Sequence, residues 1–264
     1  MTKENRYSLI ILAFCGVFTD FLTAENDGMW FPRDRIIHLI ISFFIWIILI
    51  YILSEVDFNA VFIKFILLGL IILRLAALVI SFLKYFQIFY GDSSAGILFF
   101  TAVVVLLTYT LKKESTGQLL FFYTLLNIVM ILLLFGLCLE KINTINLYAT
   151  DLSVEFSLSK LTIYTDIIIL MSVIRKEEKC HAGRQLLVLS TIFLTVTTFM
   201  QGMCIGGELL YSLSPLQSLV QIFMGETIKR YDFILNILFT INYFGAVIFN
   251  VTSFKTIIEQ GENV

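Results

Sequence analysis

The sequence predicts an all-α polytopic membrane protein with about eight transmembrane helices, and three observations predict it. Of 264 residues, 59% are hydrophobic and only 14% charged, so much of the surface has no means of meeting water; soluble domains carry about 25% charged residues. The apolar residues also come in runs as long as a hydrocarbon core is thick, about 30 Å, so the solvent they face is lipid. Only two prolines occur, Pro32 and Pro215, and both fall between apolar runs. A formal net charge of −2 offers nothing to nucleic acid. Cys15, Cys138, Cys180 and Cys204 show no CxxC spacing and form no Cys/His cluster, so no disulfide or metal framework is expected. The expected cofactor list is empty.

The elements follow in order. Segment A (7–23) is apolar but holds Asp20, with Lys3 and Arg6 before it. Its basic start and the Leu22-Thr23-Ala24 end suggest a signal peptide, yet leucine three residues before the cut fits that poorly. It is read as a first, marginal span. Segment B (36–53) spans without interruption. Segment C (58–89) carries Lys64, Arg74 and Lys84 and would form a helix of about 48 Å, so it must tilt or enter the interface. Segments D (95–111) and E (119–139) are joined by Lys112-Lys113-Glu114-Ser115-Thr116-Gly117. After a polar stretch, 140–160, segment F (161–174) is short and contains Asp166. The charged run Arg175-Lys176-Glu177-Glu178-Lys179 closes it, and segment G (186–205) follows, ending at Gly206-Gly207. Residues 212–230 alternate as an amphipathic surface helix does, and segment H (233–254) is the last span. No linker divides the chain, which reads as a single transmembrane domain, 1–264.

Lys and Arg in the loops orient such a protein. With the N-terminus inside, the densest basic cluster, Arg175, Lys176, Lys179 and Arg184, falls on the cytoplasmic side.

Three ionisable residues are out of place in spans: Asp20, Arg74 and Asp166. Each costs about 2.5–3.5 kcal/mol at a helix centre on insertion scales. Arg74 lies too deep to reach the interface by snorkelling, so it is expected to face the bundle interior, paired with Asp20 or Asp166. Short spans bearing polar residues also mark transporter binding sites. Segments A and F fit that description, and A adds Gly16. No GxSxG, HExxH or phosphate-loop signature occurs, and no nucleophile–base pair is in sight, so no enzymatic role is expected.

Several blocks carry a resemblance to a known family. They are a short helix ending at Arg175-Lys176, then Ala182-Gly183-Arg184-Gln185-Leu186-Leu187 opening a long span. Ser218-Leu219-Val220-Gln221-Ile222 and Gly225-Glu226-Thr227-Ile228-Lys229-Arg230-Tyr231-Asp232 follow, similar to the family element ISxGxFIERxE. Upstream, Leu73-Arg74-Leu75-Ala76-Ala77-Leu78-Val79 and the helix end at 109–113 add to it. Together, over 58–253, the chain resembles the B-subunit family of spore germinant receptors, permeases of the amino acid–polyamine–organocation superfamily. The resemblance implies a LeuT-like inverted-repeat bundle that here lacks the last two helices. It implies residence in the bacterial spore inner membrane with A- and C-type subunits, where the protein senses small nutrients such as amino acids to trigger germination. A transporter of the same fold and a ligand-free scaffold are the alternative readings. The family's pocket lies between helices one, three, six and eight, here A, C, F and H, which implies ligand-binding roles for Gly16, Thr19, Asp20, Arg74, Thr165 and Asp166. Segment F lacks the family's mid-helix glycine, since Thr162-Ile163-Tyr164-Thr165-Asp166 has none, so only the location of the pocket carries over.

Overall fold

The computed structural model describes residues 3–23, 32–58, 60–90, 94–110, 163–204 and 231–262, with single positions 122, 125, 126, 129, 132 and 136. Among them the chain is all α-helical, with α1 (Lys3–Thr23), α2 (Pro32–Glu55), α3 (Val61–Tyr90), α4 (Ser94–Thr110), α5 (Asp166–Val173), α6 (Lys179–Cys204) and α7 (Tyr231–Glu262). Four stretches are long and apolar enough to cross a membrane: Ile36–Glu55, Val61–Lys84, Lys179–Phe199 and Asn236–Glu259. Ala95–Thr110 is apolar but shorter. The chain is therefore an integral membrane protein by the length and composition of its helices. Segment E is described only at scattered helical positions, where Phe122, Leu125, Val129 and Leu132 are exposed, and the amphipathic stretch 212–230 lies outside the described residues.

Three boundaries differ from expectation by five residues or more. Segment F is α-helical only from Asp166, because residues 163–165 form a tighter turn. Helix α6 begins at Lys179, before the expected 186, so Cys180, His181 and Arg184 belong to a helix and not to a loop. The polar side chains there are accommodated at the helix end: the Lys179 ammonium lies 4.4 Å above the Phe58 ring and 3.5 Å from the Val56 carbonyl. Helix α7 runs on to Glu262, past the expected 254.

Each outer helix divides into a stripe facing lipid and a stripe facing protein. On α3 the exposed residues include Val61, Phe62, Phe65, Ile66, Ile72, Leu73 and Ile80, while Leu67, Ile71, Arg74, Leu78 and Phe82 are buried. Steps of three and four residues keep each set on one face. Lipid is as apolar as leucine, so close packing and polar contacts hold such helices together more than burial does. Ring stacking contributes: Phe82 lies 3.8 Å from Tyr243 with the planes 4° apart, and Phe193 meets Phe14 and Phe18 edge-on at 5.1 Å. Such pairs add about 0.5–1.5 kcal/mol each. Many Ser and Thr hydroxyls are satisfied inside their own helices, as in Thr19 to the Cys15 carbonyl (2.8 Å) and Ser190 to the Leu186 carbonyl (2.6 Å).

At the centre stands α1. Leu12, Ala13, Cys15, Val17, Phe18 and Thr19 are wholly buried, and the helix packs against α3, α5, α6 and α7. It lies close against α7 at Gly245, where a Cβ would lie 3.0 Å from Cys15 Sγ. Small residues at such crossings let backbones come together.

Side-chain contacts fix which helix ends share a membrane face. Arg6 at the start of α1 pairs with Glu178 before α6 (3.1 Å), and Lys179 reaches Val56 after α2. Arg184 lies over the Tyr51 ring near the end of α2. One face therefore gathers the start of α1, the α2–α3 connection and the α5–α6 turn. The same face holds Arg175, Lys176 and Lys179, so it is the basic side.

Candidate functional site

Arg74 sits on the inner stripe of α3, thirteen residues from Val61 and sixteen from Tyr90. That is about 20 Å from one end and 24 Å from the other, deep in the hydrocarbon region. A stem of about 6–7 Å does not reach water from there, so the guanidinium must be satisfied by protein.

Two carboxylates and one carbonyl satisfy it. Asp166 takes the fork side-on, accepting from Nε at 3.2 Å and from Nη2 at 2.8 Å. Asp20 on α1 accepts from Nη1 at 2.6 Å, and the Gly16 carbonyl one turn earlier accepts from Nη2 at 3.2 Å. Planar bidentate pairing is the geometry for which arginine is suited and lysine is not. The charges are unequally sheltered: the Asp166 side chain is 0% exposed, Arg74 8% and Asp20 20%. The open end of the cluster is therefore at Asp20.

Local structure explains how Asp166 gets there. Helix α5 has only eight residues, about 12 Å, and nearly all of them are buried. It ends at Ile174, whose backbone is extended, just before the exposed Arg175, Lys176 and Glu177. Its first residue therefore lies well inside the membrane, where the tighter turn at 163–165 sets the helix start. The Ile168 N–H bonds the Thr165 carbonyl at 3.0 Å, and the buried Tyr164 hydroxyl lies 3.0 Å from Thr191 on α6. Asp166 occupies the first turn, where the positive end of the helix favours a carboxylate.

Glycine at position 16 is required by this packing. A Cβ there would overlap Asp166 Oδ2, lie 2.8 Å from its Cγ and stand 3.4 Å from Arg74 Nη2. The carboxylate occupies the space that a side chain on α1 would fill.

Of the six residues singled out in the sequence, Gly16, Asp20, Arg74 and Asp166 converge. Arg74 was expected to pair with one of two aspartates and holds both. Thr19 is wholly buried, and its hydroxyl donates to the Cys15 carbonyl. Thr165 stands at the α5 N-cap position without a side-chain cap bond. Sequence reasoning missed the Arg6–Glu178 pair, since Arg6 reads as part of the basic start before segment A and Glu178 as part of a charged turn. Nothing in the spacing of two residues 172 positions apart links them.

The chain matches no protein-family model, no curated protein and no solved structure.

Proposed function

We propose that this protein is a permease-like membrane subunit that recognises a small, charged, amino-acid-like solute at the Arg74 cluster. In this reading it is the solute-sensing subunit of a spore germinant receptor, working with A- and C-type partners in the spore membrane. The observation that carries the reading is a buried arginine on α3 held by carboxylates from α1 and from the start of the half-length α5. Ionisable groups within spans are expensive and mark solute paths, and discontinuous helices that begin at mid-membrane mark the binding sites of transporter folds. The cluster is supplied by A, C and F, three of the four helices the family resemblance implies. A solute that inserts its own charged groups beside Arg74 alters what joins α1 to α3, and that change is the signal.

The test uses spores carrying Arg74→Ala or Asp166→Asn, with membrane levels of the chain and its partners measured alongside. Loss of the nutrient response with assembly retained is the expected result. An unchanged response would sink the proposed site. In proteoliposomes, radiolabelled amino acids are expected to bind without crossing; ion-coupled uptake would replace the sensor by a transporter.

A further inference from the structure

Resting on the solute site proposed above, we infer that the group recognised there is a primary ammonium, received by the Asp20 carboxylate, so that ligands of net charge +1 are preferred to zwitterions. Two observations lead to it. The first is charge. One guanidinium faces two carboxylates, which leaves a formal excess of one negative charge deep in the bundle. An uncompensated charge in a low-dielectric interior is costly, and a cationic ligand cancels it, whereas a zwitterion leaves it standing and an anion doubles it.

The second is which groups are already occupied. Asp166 spends both oxygens on Arg74 and is closed off entirely. Asp20 spends only Oδ1, and its Oδ2 has no hydrogen-bond partner among the described residues. It is also the one member with appreciable exposure, 20% of its side chain. A second carboxylate oxygen, unspent and reachable, is an acceptor for ammonium N–H groups. Arg74 uses four of its five N–H groups among the described residues, and the fifth is on Nη1, the nitrogen bonded to Asp20. A neutral acceptor on the ligand, such as a carbonyl or hydroxyl, takes that donor without adding negative charge. The ligand class is thus a small primary amine bearing a neutral acceptor, or a basic amino acid whose net charge is +1.

The experiment measures binding to the full chain in nanodiscs of zwitterionic lipid, with choline chloride as the background salt. The probes are ethylamine, alanine and propionate, all small and carrying charges of +1, 0 and −1. The expected order is ethylamine tightest and propionate weakest. Asp20→Asn keeps an oxygen for Arg74 but removes the charge, and it is expected to weaken ethylamine at least about tenfold. Asp20→Glu is expected to recover part of that loss, and unfolding curves establish that both variants remain folded. Alanine binding as well as ethylamine, or ethylamine binding unchanged in Asp20→Asn, overturns the inference. Binding that depends on Arg74 but not on Asp20 leaves the solute site standing and removes only the ammonium. No binding by any probe removes both.

Discussion

Replacing Gly16 by alanine tests the cluster without touching any of its charges. Two effects of opposite sign compete. Glycine to alanine inside a helix ordinarily adds about 0.5–1 kcal/mol of stability. Here the new methyl would lie where Asp166 Oδ2 is and 2.8 Å from its Cγ, so the carboxylate must leave its bidentate seat on Arg74. Separating one partner from a buried pair costs about 3–5 kcal/mol. The expected net loss is about 2–4 kcal/mol. The assay is unfolding of the purified protein in detergent, with two internal comparisons. Gly69 faces open space, so Gly69→Ala is expected to be neutral or slightly stabilising. Gly245→Ala meets Cys15 Sγ at 3.0 Å, which can turn aside, and is expected to fall between the two. Coupling gives a sharper check. With Asp166→Ala already made, the methyl at position 16 has room and adds no further loss. Gly16→Ala as stable as Gly69→Ala, or penalties that add in full with Asp166→Ala, would refute the reasoning.

The two aspartates are unequal, so Asp166→Asn is expected to destabilise by roughly 3 kcal/mol and Asp20→Asn by less than about 1 kcal/mol; equal losses would contradict the geometry. Thr101 donates to the Ile97 carbonyl at 2.8 Å, so the Tyr243 hydroxyl, 2.9 Å from Thr101, is the donor in that pair. Tyr243→Phe is expected to cost about 0.5–1.5 kcal/mol and Tyr243→Ala about 3–5 kcal/mol, read from the same unfolding curves. Glu178 is 36% exposed in its pair with Arg6, so Glu178→Gln is expected to change stability by less than about 1 kcal/mol, with an effect that fades in high salt. Cysteines placed at Glu177 and Glu259 are expected to react with an impermeant thiol reagent from one side of sealed vesicles and a cysteine at Ala95 from the other. Labelling of all three from one side would break the helix directions described above.

Much of this was legible in the sequence because a bilayer punishes errors that water forgives. Arg74 could be assigned to the interior on depth alone, even though α3 is apolar all round and its periodicity does not say which face is inside. The aspartates followed from the arginine, since few other groups in the spans could answer its charge. That both would bind it was not readable, because the spacing of residues on three separate helices carries no information about how those helices cross. The start of α6 was misplaced for a related reason. Lys179, His181 and Arg184 look like a loop when scored for lipid compatibility, yet at a helix end the charged tips of Lys179 and Arg184 reach aromatic faces, and Lys179 also a carbonyl, at the membrane edge. The fate of Thr19 was also hidden: a hydroxyl inside a span is as ready to bond its own helix as a ligand.

The burial of α1 bears on how the protein is made. A helix that meets protein on nearly every side has no need to be hydrophobic, and α1 alone of the full-length helices carries an aspartate at depth, which explains why it looked marginal as a span. The machinery that inserts helices one at a time meets α1 before any of its neighbours exists. Asp20 then has no arginine until α3 has followed, and Cys15 and Leu12 have no Gly245 beside them until α7 is complete. Helix α1 is therefore enclosed in part by a helix synthesised well after it. The helices between them are inserted around a core segment that is still waiting for its walls.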